Sequence, residues 1–289
     1  MNDREYAVFI LTHGRANNVR TFKTLRNDGY TGKIYLIIDD EDEQADIYID
    51  RFGRENVIQF SKAKAAEFTD TADIKKERNV VVFARNTCHK IAKDLGLTHF
   101  IEVDDDYSQF GYRAEREGKL KQINITQLDD LFEAMFDFLD TSGALAIAPA
   151  QGGDYIGGKK GGIWLNGLNR KCMNMFFCRT DRPFKFYGRL NEDTTAYTYL
   201  GQKGELFFTV ADWCLIQETT QKSKGGLTDA YLSLGTYVKS FYSVMYCPSC
   251  VKISSLGDSS KGERHERIHH KVDWNKCTPQ ILNERYKKQ

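Results

Sequence analysis

Residues 84–107, ARNTCHKIAKDLGLTHFIEVDDDY, contain the pattern on which the predicted fold depends. A helix predicted over Lys75–Leu95 leads directly into the apolar run His99–Val103, which is typical of a buried strand. The strand ends in three consecutive acids, Asp104, Asp105 and Asp106. Ligands of open α/β sheets bind beyond the carboxyl ends of the strands, so this triplet marks a candidate binding edge.

Apolar strand-like runs alternate with helix-like segments through the first 150 residues. The predicted strands are Tyr6–Leu11, Ile34–Ile38, Val57–Phe60, His99–Val103 and Ala144–Ala148. A second helix is predicted to begin at Thr126 and Asp129 with a capping box, and to bury Leu128, Leu131, Phe132, Met135 and Phe138. Further strands are predicted over Cys172–Cys178 and Phe207–Trp213, and further helices over Glu192–Leu200 and Thr228–Leu234. The alternation predicts an α/β fold with a mostly parallel, helix-covered sheet.

Composition excludes several classes of protein. The chain has 289 residues, 41% of them hydrophobic, which suits one globular α/β domain with a C-terminal extension, or two closely packed lobes. We expect a soluble, cytoplasmic protein, because the N-terminus does not resemble a secretory signal and no apolar run is long enough to span a bilayer. Seven cysteines, an odd number, favour reduced thiols over a disulfide framework.

The acidic triplet is a candidate metal site. Residues two apart on an extended chain face the same way, so Asp104 and Asp106 can converge on one hard divalent cation. Mg²⁺ or Mn²⁺ held there would bridge a diphosphate and neutralise the charge on a departing nucleotide. An acidic surface turn is the alternative interpretation of the same residues.

The segment quoted above resembles the core of family 2 and related GT-A glycosyltransferases, in which an Arg-Asn helix precedes a strand ending in Asp-x-Asp. Residues 9–15 resemble the opening nucleotide-binding loop of that family. The resemblance implies an α/β fold of the GT-A type, a nucleotide-sugar donor, a UDP-sugar in our prediction, and an inverting, metal-dependent transferase. Its donor residues would be Thr12, Arg15, Asp39, Asp40, Arg85, Asp104 and Asp105, with Asp104 shared between ribose and metal and Asp106 on the metal.

Two carboxylates, Glu192 and Asp193, lie downstream at a predicted helix start, in the order of the acidic acceptor-site motif of GT-A enzymes. Either could be the base that removes a proton from the acceptor hydroxyl. The alternative is that Asn191 and Asp193 serve only as a helix cap and first turn.

The stretch Lys159–Arg189 contains eight basic residues against one acid, Asp181, and is interleaved with aromatic residues. Such a surface can bind a polyanion with stackable bases. The alternative is that several of these aromatic residues point into the core and the basic residues solvate the flanks of a strand. The chain as a whole resembles the TET-associated glycosyltransferases of bacteriophages, which implies DNA carrying a hydroxylated cytosine, such as 5-hydroxymethylcytosine, as acceptor. The predicted acceptor-binding residues are Trp164, Lys159, Lys160 and Arg170.

The C-terminal residues 247–289 are predicted to form a basic extension that closes over the active site of a domain spanning 1–246, with a donor half (1–110) and an acceptor half (111–246). GT-A enzymes often recruit a C-terminal histidine to the catalytic metal, and His269 or His270 is the candidate here. A zinc site formed by Cys247, Cys250 and the C-terminal histidines is the alternative.

Other functions are compatible with the sequence. The acceptor could be a polysaccharide or a protein, since a basic face also binds acidic glycans. A nucleotidyltransferase would use a similar fold and acidic metal site. A non-catalytic, zinc-containing nucleic-acid-binding module would use the basic stretch and leave the acidic triplet as a solubilising surface.

Overall fold

The computed structural model describes residues 4–155, 172–217, 237–258 and 265–287. Within these ranges, nine strands form one sheet and two more form a separate hairpin. The strands of the sheet are β1 (Tyr6–Leu11), β2 (Lys33–Asp39), β3 (Val57–Phe60), β4 (His99–Asp104), β5 (Tyr107–Arg116), β6 (Lys119–Asn124), β7 (Ala146–Gln151), β8 (Phe176–Arg179) and β9 (Phe207–Gln217). The hairpin consists of β10 (Val251–Asp258) and β11 (His265–Val272).

Eight α-helices are described alongside these strands. They are α1 (Arg20–Asn27), α2 (Ala45–Phe52), α3 (Lys62–Phe68), α4 (Val82–Asp94), α5 (Leu128–Ser142), α6 (Glu192–Gln202), α7 (Lys239–Tyr246) and α8 (Trp274–Cys277). None of the described helices is long and apolar enough to cross a lipid bilayer. The predicted helix Thr228–Leu234 lies outside the described residues.

The sheet has the order β3-β2-β1-β4-β8-β7-β9-β5-β6. Strands β1 to β4 are parallel, β8 runs antiparallel to both β4 and β7, and β5 and β6 are antiparallel neighbours at the edge. The predicted α/β class is therefore confirmed, and the sheet is mixed. The first four strands form the parallel half of the sheet. The later strands all lie on the β4 side, and they include both parallel and antiparallel pairings.

The sheet is covered on both faces. Along β1, Ala7, Phe9 and Leu11 belong to one buried cluster, whereas Val8 and Ile10 belong to another on the opposite face. Parallel strands buried on both sides have continuous apolar sequences, which is why the first four strands could be recognised. The result is a rigid frame that presents the carboxyl ends of β1, β2 and β4 at one edge.

The hairpin β5–β6 was not predicted. Its outer half, Glu115–Leu120, is polar and mostly exposed, so it lacks the apolar run of a buried strand. Glu117 and Gly118 both have positive φ, 54° and 74°, which is typical of the type I′ turn that joins two antiparallel strands.

Two predicted helices differ from the observed ones. Helix α4 begins at Val82 and not at Lys75, because the charged segment before it is a loop. Helix α5 has no capping box: its N-cap is Gln127, and Asp129 accepts hydrogen bonds from the backbone and hydroxyl of Thr31. Phe138 is 41% exposed, and the buried face continues through Phe136 and Leu139 instead.

Candidate active site

The acidic triplet lies at the carboxyl edge of the sheet, as predicted. Leu11 at the end of β1 pairs with Asp104 at the end of β4, so the loop after β1 lies beside the triplet. Asp105 and Asp106 form the turn between β4 and β5 and are not extended. The argument that Asp104 and Asp106 face the same way on a strand was therefore wrong, because the strand ends at Asp104.

Asp105 is buried and joins the triplet to the loop after β1. Its carboxylate accepts hydrogen bonds from the Thr12 hydroxyl (2.7 Å) and the Arg15 guanidinium (2.7 Å). The Thr12 hydroxyl also lies 2.9 Å from the Tyr48 hydroxyl, which in turn accepts from the Arg15 amide. Thr12, Arg15 and Asp105 thus form one unit, and their contacts with a nucleotide stay predictions.

Within the acidic triplet, Asp106 is the carboxylate that lacks a hydrogen-bond partner for a buried oxygen. One of its oxygens, Oδ1, is buried without a hydrogen-bond partner among the described residues. Burial, together with the charges of Asp104 and Asp105, raises the pKa of Asp106 to about 7. A divalent cation would satisfy this oxygen and favour the ionised carboxylate. Mg²⁺ and Mn²⁺ take such oxygen ligands, commonly one or two carboxylates completed by substrate phosphates and water.

Arg85 of α4 connects the triplet to α6. Its guanidinium, 2% exposed, donates to Asp104 (2.8 Å) and to Glu192 (3.0 Å), and lies 3.6 Å from Glu102. The rings of Phe176 and Phe186 pack against it at 5.3 and 5.6 Å. Burial opposes the charge, but the three carboxylates outweigh it and raise the pKa of Arg85. Arg85 thus holds Asp104 and Glu192 in place, and its direct contact with a donor stays a prediction.

The three carboxylates around Arg85 exceed its single charge. Burial raises the pKa of Glu102 to about 8 and that of Glu192 to about 7, in spite of the opposing charge of Arg85. The pKa of Asp104 is also raised, first by burial and then by the charges of Asp105 and Asp193. Asp104 and Asp193 are therefore close enough for their charges to interact across the two halves.

Helix α6 begins with Glu192 and Asp193 at this edge. Asp193 is buried, which raises its pKa, and its Oδ1 accepts the Thr194 amide at 2.6 Å. Asn191 has the left-handed conformation (φ 62°) and makes no side-chain cap. Its amide donates to Ser243 (2.8 Å) and lies 3.1 Å from Nδ1 of His270. Asn191 therefore occupies the N-cap position and Asp193 the first turn, as the alternative interpretation expected, but the Asn191 side chain contacts α7 and β11 instead of capping the helix.

Asp39 and Asp40 follow β2 and have different surroundings. Asp39 is buried and contacts His13 (2.8 Å) and the buried ammonium of Lys62 (3.0 Å). Burial would raise the pKa of Asp39, but His13 and Lys62 lower it. Asp40 is exposed and accepts the Lys62 amide at the start of α3. Contact of either with a nucleotide base stays a prediction, and the base would meet His13 and Lys62 next to Asp39.

His269 and His270 contact each other and the main chain rather than the triplet. Nδ1 of His269 lies 2.7 Å from the carbonyl of His270, and Nδ1 of His270 faces Asn191. Burial lowers the pKa of His270 to about 4. Among the described residues, no three His, Cys, Asp or Glu side chains are placed to hold a metal on their own. Neither the histidine ligand to the catalytic metal nor the zinc alternative is therefore preformed in this part of the chain.

All seven cysteines are free and buried. Cys247 and Cys250 belong to the apolar core that also contains Cys277, and Gln202 contacts Cys250. They anchor the C-terminal segment beside α6, away from His269.

The described part of the basic stretch packs largely into the fold. Phe176, Phe177, Phe184 and Phe186 are buried in the core. Arg189 pairs with Asp73, Arg179 with Asp140 and Asp181, and Arg182 donates to the carbonyls of Leu139 and Ala144. In this part of the stretch these aromatic residues belong to the core, Arg179 and Arg189 have carboxylate partners, and Lys185 is exposed. Trp164, Lys159, Lys160 and Arg170 lie outside the described residues.

Three site residues were missed from the sequence, Glu102, His13 and Lys62, and Asn191 was considered only as a helix cap. Glu102 offered a signal, an acid inside an apolar strand, which places a carboxyl group in the core and calls for a cation nearby. Asn191 had the signal of a residue that tolerates positive φ. His13 and Lys62 had none, because their meeting at Asp39 depends on tertiary contacts.

Two solved glycosyltransferase structures are similar to this chain. A mannosyltransferase from Pyrobaculum calidifontis, solved with GDP-Man and Mn²⁺, has 11% identity and a TM-score of 0.48, covering 85% of this chain and 74% of that one. A glucosyl-3-phosphoglycerate synthase from Mycobacterium tuberculosis, solved with Mn²⁺, UDP and phosphoglyceric acid, has 10% identity and a TM-score of 0.45, covering 94% and 91%. No curated protein sequence matches.

The sequence model of one family matches residues 6–226, which include the triplet, Arg85 and the Glu192–Asp193 pair. The match ends before the β10–β11 hairpin. Because it covers well over half of the chain, the chain belongs to the TET-associated glycosyltransferases.

Proposed function

We propose that this glycosyltransferase moves a sugar from a UDP-sugar to the hydroxyl of a modified cytosine in DNA, with Mn²⁺ or Mg²⁺ bound at Asp104 and Asp106. The observation that carries the proposal is the unpartnered Oδ1 of Asp106, buried beside Asp104 at the edge where Asp193 also lies. The DNA acceptor is supported by the family to which the chain belongs.

The protein would arrange the donor as follows. A divalent cation, when bound, neutralises the diphosphate that leaves with the nucleotide. Asp104 and Asp106 would supply its protein ligands. Arg85 donates a hydrogen bond to Asp104, which fixes the orientation of that carboxylate. Thr12 and Arg15, already joined to Asp105, would bring the loop after β1 over the nucleotide.

Asp193 is the proposed base. It would accept the proton of the cytosine hydroxymethyl group while the hydroxyl oxygen bonds to the anomeric carbon, and the bond from that carbon to the diphosphate breaks. This attack from the face opposite the diphosphate inverts the anomeric configuration. Burial raises the pKa of Asp193, which strengthens it as a base. Glu192 is not the proposed base, because its carboxylate is bound to Arg85. It acts as a positioning residue.

Mass spectrometry of nucleosides tests the proposal. The protein is incubated with Mn²⁺, a panel of nucleotide sugars and duplex DNA with or without 5-hydroxymethylcytosine. We expect a mass gain of one sugar on the hydroxylated cytosine alone, and a rate about 10² to 10⁴ lower for Asp193→Asn. The matched control is Asp212→Asn, an exposed acid on β9. Transfer to a glycan or protein with none to DNA would contradict the acceptor, and full activity of Asp193→Asn would contradict the base.

A further inference from the structure

A cavity of 450 Å³ lies at the base of the β10–β11 hairpin. It lies beyond the residues that the family model matches and is not part of the site described above. Its lining includes Lys252, Lys271, Asp273, Trp274, Asn275 and Lys276.

The charges of this cavity are not balanced. Lys252 of β10 and Lys271 of β11 are exposed and directly opposite each other, and like charges in that position destabilise a hairpin. Neither forms a salt bridge with a carboxylate of the described residues. The acid of the cavity, Asp273, is 3.5 Å from the ammonium of Lys276, whose amide it also accepts. Two positive charges therefore remain, and an anion between them would relieve their repulsion.

The cavity is connected to the catalytic helix. Trp274 in its wall packs edge-on against Tyr197 of α6, with the ring centres 5.7 Å apart. Tyr197 follows Asp193 by four residues, which is about 6 Å along a helix. The cavity wall therefore packs against α6 about one helical turn from Asp193.

We propose that this cavity binds a backbone phosphate of the acceptor DNA, beside the cytosine that receives the sugar. The inference rests on the proposed function, since it takes DNA as the acceptor. Lys252 and Lys271 provide the charge, and the contact of Trp274 with Tyr197 fixes the cavity beside α6. The site contributes affinity for the DNA and takes no part in the chemical step.

Salt-dependent DNA binding tests this proposal. Binding of a labelled duplex with 5-hydroxymethylcytosine is measured by fluorescence anisotropy over a series of salt concentrations, for the wild type and for Lys252→Gln/Lys271→Gln. Each lost phosphate contact lowers the slope of log K against log salt by about 0.9, so the double variant is expected to lose about 0.9 if both lysines share one phosphate and about 1.8 if they bind two. Its KM for DNA should rise with kcat unchanged, and hydrolysis of the nucleotide sugar without DNA should stay at the wild-type rate.

The matched control is Lys90→Gln/Lys93→Gln, which removes the same charge from exposed positions near the end of α4 that points away from the triplet. Lys271→Gln alone is a milder variant should the double variant unfold, and Tm should not fall in either.

A wild type that glycosylates DNA, together with a double variant whose salt slope and KM are unchanged, would refute the phosphate site in the cavity and leave the proposed function standing. A slope lowered equally by the control would also refute it. No DNA binding by the wild type would refute both, and inhibition by millimolar inorganic phosphate in wild type and variant alike would show that the anion binds elsewhere.

Discussion

Replacing Arg85 by methionine tests whether one guanidinium holds the two halves of the site together. The change keeps an unbranched side chain against Phe176 and Phe186 but leaves Glu102, Asp104 and Glu192 without their cation. Removing one partner of a buried ion pair costs about 3–5 kcal/mol. Because the free energy of unfolding of a typical domain is about 5–15 kcal/mol, the variant should still fold, with a large part of its stability lost.

The loss should depend on pH. The pKa values of Glu102 and Glu192 in the folded protein, about 8 and about 7, already exceed the ordinary 4.5, so the folded state binds more protons than the unfolded state between these values. Stability therefore falls as pH rises through this window. Without Arg85 these pKa values rise further, so the variant should lose stability more steeply than the wild type from pH 5 to pH 8.

Urea unfolding at pH 5.5, 6.5 and 7.5, in the presence of EDTA, measures both effects. We expect a destabilisation of about 3–5 kcal/mol at pH 7.5 that is smaller at pH 5.5. Arg116→Met, at an exposed position of β5, is the control and should change the unfolding free energy by less than about 0.5 kcal/mol. A loss below about 1 kcal/mol for Arg85→Met, or one that is equal at all three pH values, would refute the reasoning.

Three further predictions concern single positions. Glu102→Gln should flatten the fall of stability between pH 5 and pH 8 by up to about 1.4 kcal/mol per pH unit, because it removes a buried group whose pKa is about 8; an unchanged pH dependence in urea unfolding would contradict this. Asn191→Ala should lower Tm more than Asn191→Gly, because the left-handed backbone at this position costs alanine about 1–2 kcal/mol and glycine almost nothing. Both variants should lower kcat, because the contacts with Ser243 and His270 are lost. An alanine variant as stable as the glycine variant would contradict the left-handed strain at this position. Gly29→Ala should lower Tm more than Gly96→Ala. Both glycines have positive φ, but a Cβ at Gly29 would clash with the Thr126 carbonyl, whereas a Cβ at Gly96 would face open space. Equal shifts of Tm would contradict the close contact at Gly29.

The buried strands could be predicted from the sequence because their signal is local. Each of the predicted runs in the first 150 residues overlaps an observed strand, and Tyr6–Leu11 and Val57–Phe60 have the same bounds in both. A strand covered on both faces needs an unbroken apolar segment, and little else in a chain produces one. The hairpin β5–β6 has one polar half and a glutamate in its turn, so its pairing is specified by the partner strand β9 and not by its own composition.

The sequence could predict only those site residues that directly follow a recognised strand or begin a recognised helix. The triplet had to lie at the carboxyl edge once β4 was recognised, and the Glu192–Asp193 pair lies near it. The partners of these side chains could not be predicted, because Arg85 meets Glu192 across 107 positions and Asn191 meets His270 across 79. For the same reason, the sequence could not show which aromatic residues after Cys172 are core and which are surface; Phe176, Phe177, Phe184 and Phe186 are all buried.

The most direct test of the metal-dependent donor site is calorimetric titration of UDP into the wild type and Asp106→Asn, with Mn²⁺ or with EDTA. The account predicts that UDP binds the wild type tightly only with Mn²⁺, and that Asp106→Asn weakens this binding by at least about 100-fold while remaining folded. Binding of equal affinity in EDTA, or wild-type affinity in Asp106→Asn, would contradict the assignment of the triplet as the site of the cation and the diphosphate.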